Sequence, residues 1–444
     1  METNEKQTTA WSQNSILIKL AVITGITLLL LVPSAWIQGL ITDREGYSQQ
    51  MAGNISARWS DSQLVQGPVL ILPFKKHVTD TDLYKNKTSR QEAHRLYVLP
   101  QTLNVVANTK TELFQQSIYD AVVYDARVHV TGSFDQADLE KAAIDPADVD
   151  FDKARIVFGI SDMKGLKNNP VVTVDGAQYT AEPAPDDNVV TQGLKINFHP
   201  QAGKGFSFDY TLDLKGSNDL NFLPTGKTTD VSVGSDWIHP EFNGRILPDN
   251  RVSDGKGFTA KWNSLYFNRP FPQQWIDDDS VLTTEKVKKE NAFGVRLQLP
   301  VDQYRKVLRT AKYAVLIIFL TFVSLFLTEM IRKQPIHLFN YALIGAAMVV
   351  YYTLLLSFAE QIGFNWAYFL ASVSTITLIA VFTASLLKNK KAAALFAFIL
   401  SVFYGFIFII IQLEDLALLF GSIALFIIVA MLMYFSRKVS WDRH

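Results

Sequence analysis

The sequence predicts an α+β membrane protein with three parts: an N-terminal transmembrane anchor, a large mainly-β, sandwich-like extracytoplasmic domain, and a C-terminal bundle of five transmembrane helices. Three observations predict it. From Tyr313 to Ser436 the only charges are Glu329, Arg332, Lys333, Glu360, Lys388, Lys390, Lys391, Glu414 and Asp415, all near the ends of apolar blocks. Those blocks suffice to cross a hydrocarbon core of ~30 Å, which takes about 20 helical residues. Period-two alternation of apolar and polar residues dominates the middle of the chain. A further apolar run opens the chain.

That opening run, Ile16 to Ile37, reads as an uncleaved anchor. Lys6 and Lys19 precede its purest part, Leu20–Val32, and "PSA" (Pro33–Ala35) imitates a signal-peptide cleavage site. Pro33 stands where a small residue is wanted, however, and the apolar stretch continues through Trp36 and Ile37, longer than a signal core requires. The later spans are predicted at Ala314–Ile331, Phe339–Phe358, Trp366–Leu387, Ala392–Ile411 and Leu416–Phe435.

Loop charge sets the orientation. Arg332 and Lys333, then Lys388, Lys390 and Lys391, then Arg437, Lys438 and Arg443 mark one side as cytoplasmic, whereas the loops around Glu360 and Glu414–Asp415 carry no Lys or Arg. The division is therefore 1–15 cytoplasmic, 16–37 first span, 38–312 outer β-rich domain, 313–436 five-helix bundle and 437–444 cytoplasmic tail, with both termini inside.

Within the outer domain, "FSFDYTLDL" places Phe206, Phe208, Tyr210, Leu212 and Leu214 on one face and polar residues on the other. Val122–Phe134, Arg155–Ser161 and Thr229–Trp237 read as further strands, Ala137–Ala143 as a short helix, and Thr79–Gln91 and Tyr179–Thr191 as surface loops. The pattern suits a mainly antiparallel sandwich, as one long domain or two fused ones. The chain contains no Cys, so the domain relies on a packed core rather than disulfides. A net charge of zero and the lack of a basic groove interleaved with aromatics argue against a nucleic-acid partner.

The stretches "GPVLILPF" (Gly67–Phe74), "SDMKGL" (Ser161–Leu166), "FLPTGKTTDVSVGSDWIHPEFNGRILP" (Phe222–Pro248), "LPVDQYRKVLRTAKYAVLIIFLTFVSLFLTE" (Leu299–Glu329) and "SFAEQIGFNWAY" (Ser357–Tyr368), in this order, resemble the CreD family of bacterial inner-membrane proteins. Phe74, Lys164 and Glu241 depart mildly from the family pattern, which favours Tyr, Arg and Ser there. The resemblance implies that the outer side is the periplasm and that the role is cell-envelope integrity under stress-linked control. It supplies no catalytic residue.

Motifs that carry chemistry are few. "TGKT" (Thr225–Thr228) imitates the end of a phosphate-binding loop, but Asn221 stands where that loop needs Gly and strands flank both sides, so a turn is expected. The corner formed by Trp237, His239, Pro240, Phe242 and Gly244 is the candidate structural or partner site, with Trp237 and Phe242 buried and His239 hydrogen-bonded. A hydrolase reading would need Asp236 to orient His239 and a nucleophile that no motif marks. His77, His94, His129 and His199 show no metal-ligand spacing, and no metal or cofactor is implied. "IDDDS" (Ile276–Ser280) reads as a solvated loop, and "WNSLYFNRPFPQQW" (Trp262–Trp275) as a core cover or an aromatic rim.

No ionisable group lies deep in a span. Glu329 is expected to pair with Arg332 at the inner interface, and Ser and Thr of Ala371–Ser385 to hydrogen-bond neighbouring helices. "VDQYRKVLRTAKYAVL" predicts one continuous helix leaving the membrane and docking on the β-domain through Tyr304, Leu308 and Ala311, its cations meeting anionic lipid or Asp277–Asp279. The functional expectation is a non-catalytic envelope protein whose β-domain senses or scaffolds envelope components. The alternatives are a transporter or channel accessory for a lipid or small solute, and a periplasmic hydrolase. Expected partners are membrane lipids, other envelope proteins or cell-wall components.

Overall fold

A computed structural model describes residues 3–81, 87–299, 302–332, 335–413, 419–423, 426, 429–430 and 433. The chain divides into two compact units, residues 1–49 with 301–444, and residues 50–300.

A single helix, α1 (Thr3–Trp59), opens the chain and keeps its course through Pro33. Sixteen strands follow: β1 (Gln63–Thr81), β2 (Lys87–Val98), β3 (Thr102–Gln116), β4 (Tyr119–Phe134), β5 (Arg155–Ile160), β6 (Val171–Val174), β7 (Ala177–Thr180), β8 (Glu182–Pro183), β9 (Gln192–Asn197), β10 (Phe206–Phe222), β11 (Thr228–Ser235), β12 (Glu241–Gly244), β13 (Asn250–Ser253), β14 (Phe258–Leu265), β15 (Gln274–Ile276) and, after the short helix α2 (Glu285–Asn291), β16 (Phe293–Leu297). The chain closes with α3 (Asp302–Lys312), α4 (Ala314–Arg332), α5 (Leu338–Ile362), α6 (Phe364–Leu387) and α7 (Lys390–Gln412).

In the β-unit the strands form one hydrogen-bonded network in the order β13-β14-β11-β3-β4-β10-β1-β5-β9-β8. Pairing is mostly antiparallel, with two parallel pairs, β1 with β10 and β11 with β3. Two long strands change partners and so fold the network into facing layers. β10 pairs with β4 as far as Ser217, passes Asn218 at φ 58°, and then pairs with β16 and β1. β1 leaves β10 after Val65, slips register around Gly67 at φ 89°, and continues between β5 and β2. Positive φ costs Gly nothing, so the bulge sits where the strand must turn.

One core fills the space between the layers. The predicted stripe of β10 holds, with Phe208, Tyr210, Leu212 and Leu214 buried and Phe206 half-buried. Tyr210 stacks on Phe158 of β5 at 4.4 Å between ring centroids. Leu72, Val105, Val128 and Val233 join the same cluster from four other strands. The chain enters and leaves this unit at neighbouring points. Asn218 donates to Ser56 Oγ at 3.2 Å and pairs in register with Leu297.

Two local expectations fail. Ala137–Ala143 makes turns rather than a helix, ending at Ala143 with φ 55°. Seven residues before Pro146 offer too few hydrogen bonds to offset nucleation. Thr79–Gln91 belongs largely to a long hairpin, with register running from Leu70↔Val98 to Thr81↔Lys87. Its polar composition marks a strand pair without an apolar face, not a loop.

In the helical unit, α1 from Ile18, α5, α6 and α7 are each long and apolar enough to cross a membrane; α3 with α4 would make a further, bent span. The predicted span Leu416–Phe435 falls largely outside the described residues, and of the five expected C-terminal spans three, α5, α6 and α7, are seen as helices long and apolar enough on their own. Gly363 at φ 77° turns α5 into α6, and Asn389 caps α7 by accepting from the Lys391 and Ala392 amides at 3.0 and 3.2 Å. At Gly345 a Cβ would collide with Leu30 Cδ1 and press on Phe322 Cζ, so glycine lets α1, α4 and α5 pack closely.

The expected continuous helix over Val301–Leu316 is broken. α3 and α4 meet at 42°. Tyr313 N is shared between Arg309 O at 3.3 Å and Thr310 O at 3.1 Å, and Leu316 N closes on Tyr313 O at 3.1 Å. This tightening from four- to three-residue hydrogen bonding bends the backbone without proline. α3 also docks elsewhere than predicted. Tyr304, Val307 and Ala311 are buried in the core of the helical unit, with Leu308 packed against it.

Candidate functional site

The connection out of α1 is held by one carboxylate. Asp162 accepts from the Asp61 amide at 3.1 Å, from Ser60 Oγ at 3.3 Å and from the Lys164 amide at 3.1 Å. Burial alone would raise this carboxyl, but the two amides and the Lys164 ammonium outweigh it and hold it below the ordinary carboxylate range. Gln63 Nε2 donates to Ser60 Oγ, Asp162 O and Lys215 O at 2.9–3.0 Å. Gly165 is needed because a Cβ there would strike Lys215 O. The "SDMKGL" stretch therefore serves as the hub that receives the chain from α1.

The corner predicted from sequence is assembled differently from expectation. Trp237 is half-buried and donates Nε1–H to His239 O at 3.0 Å, while the His239 ring is exposed. Phe242, also half-buried, meets Phe258 and Trp262 edge-on at 5.8 and 5.9 Å. Pro240 is half-buried. Gly244 sits at φ 93° opposite Phe293, where a Cβ would strike Ala292 O. Asp236 turns away from His239 and accepts from Thr111 N and Oγ1, both at 2.8 Å. The Asp236–His239 pair that the hydrolase reading required is not formed.

"IDDDS" is the exposed loop expected, but its acids have protein partners. Asp277 pairs with His94 Nδ1 and accepts from the Arg95 amide at 2.8 Å. Asp279 takes the Tyr97 hydroxyl and lies 3.9 Å from Arg95. Burial and the Asp279 carboxylate together push the Tyr97 hydroxyl well above its ordinary range. His129 faces Asp209 and His199 faces Asp152, each at the surface. Among the described residues no group of three or more His, Asp or Glu is placed to hold a metal ion. "TGKT" is the expected turn, with Thr225 Oγ1 donating to Gly67 O at 3.1 Å.

Sequence reading missed a cleft of ≈ 710 Å³ between the run Lys167–Pro170 and the stretch Ala181–Leu194. Asn169, Pro170, Pro183, Pro185 and Asn188 line it. Asn168, beside them, is committed to the Asp213 amide and Thr211 O, both at 3.0 Å. Asp187 is buried in the cleft wall, and Arg155 neutralises it through two bonds of 2.8 and 2.6 Å. The rest of the surface left for a ligand is carboxamide, proline and apolar side chain, with Lys167 at the wall paired to Asp125 at 2.9 Å. A segment that reads as a polar loop carries it, and only its fold against Lys167–Pro170 reveals the cleft.

The helical unit holds two charged clamps that sequence spacing does not show. Glu329 is engaged by Lys19 of α1 and accepts from the Tyr341 hydroxyl at 3.0 Å; the side chain of Arg332 lies outside the described residues. Arg44 of α1 grips Glu360 through two bonds of 3.0 and 2.8 Å, and Tyr304 of α3 donates to the same carboxylate at 3.1 Å. Between Lys19 and Arg44 lie 25 helical steps, about 37 Å at 1.5 Å each, so the clamps bracket an apolar run of membrane thickness. Inside the bundle Ser372 meets the Tyr351 hydroxyl at 3.4 Å, and Tyr368 donates to Tyr404 O at 2.7 Å. Tyr352 and Tyr404 hydroxyls are buried without a hydrogen-bond partner among the described residues. The interior is thus richer in hydroxyls than its lack of charge suggests.

Comparison with known proteins gives a consistent result. The family described as "Inner membrane protein CreD" matches residues 15–442. Inner membrane protein CreD of Escherichia coli (strain K12) is 28% identical over 431 residues, covering 95% of this chain and 93% of that protein. Among solved structures, a mutant M1 zinc metallopeptidase from Deinococcus radiodurans bound to a Tyr-Ser-Ala substrate gives a TM-score of 0.20 at 11% identity, over 41% of this chain and 42% of that one. A two-domain M1 zinc metallopeptidase bound to L-arginine gives 0.18 at 11% identity, over 37% and 39%. Scores this low carry no argument about fold or activity.

Proposed function

The chain belongs to the CreD family of inner membrane proteins, and from that premise we propose that it supports cell-envelope integrity without catalysis. Its helical unit anchors the chain, and its β-unit holds an envelope component on the periplasmic side. The observation that carries this reading is the ≈ 710 Å³ cleft, whose buried carboxylate, Asp187, and lining lysine, Lys167, are both already paired. Carboxamides read the N–H and C=O groups of an extended chain, and proline rings offer rigid apolar walls. The ligand class this fits is an uncharged, extended polypeptide segment of an envelope protein.

A photo-crosslinking amino acid placed at Asn169 or Asn188 in cells should capture a discrete adduct, whereas the same group at Asp254, an exposed turn elsewhere in the unit, should not. An identical adduct pattern at all three positions, or none at any, would remove the cleft from the account.

The orientation is tested separately. Reporter fusions after Asp43, Gly255 and Lys312 should report the periplasm, and fusions after Lys333 and Lys391 the cytoplasm, following the Lys and Arg content of the short loops. A periplasmic signal at Lys391 would overturn the topology.

A further inference from the structure

The cleft between Lys167–Pro170 and Ala181–Leu194 has a floor and a rim of different chemistry. Pro170, Ala184, Val190 and Leu194 line it as buried residues, and Met163 as a half-buried one. Asn169, Pro183, Pro185 and Asn188 line it as exposed residues. Small residues keep it hollow. Ala181 and Ala184 are in the lining, and a Cβ on Gly193 would press on Val190 Cγ2 at 3.1 Å and on Ala184 Cβ at 3.3 Å. An apolar base inside a polar rim takes one large side chain of a partner and excludes water around it.

We propose that the cleft anchors its polypeptide ligand through one aromatic side chain, seated among the proline rings and the Met163 thioether, while the rim carboxamides hold the neighbouring main chain. This rests on the cleft being a polypeptide site and names what the polypeptide carries. The lining selects a ring. None of the lining residues is aromatic, in a chain with 30 Phe, 16 Tyr and 8 Trp, so a proline-rich segment finds no aromatic groove here. What the cleft offers instead complements an aromatic partner. Pyrrolidine C–H groups beside the amide nitrogen are electron-poor and meet the negative face of a ring, and a thioether sulfur favours the ring edge. A branched aliphatic chain of similar size gains neither contact. Ionic anchoring is closed, because Arg155 holds Asp187 at 2.8 and 2.6 Å and Asp125 holds Lys167 at 2.9 Å. The Asn169 and Asn188 carboxamides make no hydrogen bond among the described residues, and Gln192 spends only its Oε1, which accepts from the Met163 amide at 2.7 Å. They are left to read N–H and C=O groups on either side of the anchor.

The test titrates the full chain in nanodiscs with the neutral peptides Ac-Gly-Ser-Xaa-Ser-Gly-NH2, where Xaa is Phe, Leu or Ala. Kd is read by ligand-observed NMR, with binding to empty nanodiscs subtracted. The Phe peptide should bind about fivefold more tightly than the Leu peptide, and about twentyfold more tightly than the Ala peptide. Ala181→Phe, which fills the hollow from its own wall, should abolish the preference for Phe. Met163→Leu conserves volume and should lower that preference about twofold while leaving the Leu peptide unchanged, which keeps the test open if Ala181→Phe disturbs the fold. Equal or tighter binding of the Leu peptide, or binding of none of the three, would overturn the proposal. A preference that survives both variants would overturn it as well. The reading beneath it fails differently. Crosslinked adducts at Asn169 and Asn188 without a Phe preference leave the cleft a polypeptide site with another anchor, whereas absence of those adducts removes the site itself.

Discussion

Lys19→Ala should cost the protein about 3 kcal/mol of stability, because it strips the counter-charge from a buried carboxylate. The Lys19 and Glu329 side chains are only 21% and 11% exposed, and the lysine also donates to Ile336 O at 2.8 Å. Once Lys19 is gone, Glu329 keeps one neutral donor among the described residues, the Tyr341 hydroxyl. A carboxylate left without its counter-charge in that setting carries a high desolvation cost, which destabilises the fold. Glu329→Gln should cost less, since an amide still accepts from Tyr341 and leaves a lysine that can reach water. The double variant Lys19→Met with Glu329→Gln should recover much of the loss, because no charge is then buried unpaired. Denaturant unfolding of the full chain in detergent measures all three. If the two single costs simply add, Lys19 and Glu329 do not act as a pair and the clamp carries no energy of its own.

The second large effect separates two tryptophans. Trp262→Ala should cost about 3–5 kcal/mol and sharply reduce folded protein, since the side chain is 2% exposed and meets Phe293 at 5.7 Å and Phe242 at 5.9 Å. It also orphans Ile246 O, which the indole N–H reaches at 3.2 Å. Trp237→Ala should cost about 1 kcal/mol, because a half-buried ring loses one hydrogen bond to His239 O and limited packing. Thermal unfolding of the two variants gives the order directly. A larger loss for Trp237 would mean that the corner, not the sheet interior, organises this part of the β-unit.

Those two tryptophans show why part of the candidate site was legible and part was not. Both stand in aromatic- and proline-rich stretches, and composition alone favoured "SDWIHPEFNGRILP" as the buried corner. Trp262 is the buried one because it lies at an inward position of β14, whose burial alternates strictly from Phe258 to Leu265. Trp237 lies just past the end of β11, where no partner strand covers it. Alternation marks Thr229–Trp237 as a strand, whereas Trp262 opens a stretch that reads only as a core cover or an aromatic rim. Which strand would be covered on its inner face depended on pairings made elsewhere in the chain.

Periodicity and charge distribution determined much of this protein without a structure. The apolar runs located α1 and α4 through α7, because a span must hide its backbone along twenty or so consecutive residues. The stripe of β10 was equally plain, since side chains alternate faces at every residue. Only the tertiary structure decided which distant groups meet. Lys19 finds Glu329 across 310 positions of sequence and Arg44 finds Glu360 across 316. Asp236 is bound by Thr111 rather than by neighbouring His239, and α3 meets α4 at 42° with Tyr304, Val307 and Ala311 in the helical core. Local patterns record what one segment must bury, whereas partners and bends depend on where chain reversals bring other segments to rest. The cleft between Lys167–Pro170 and Ala181–Leu194 exists only through such a meeting, and no single stretch of the chain contains it.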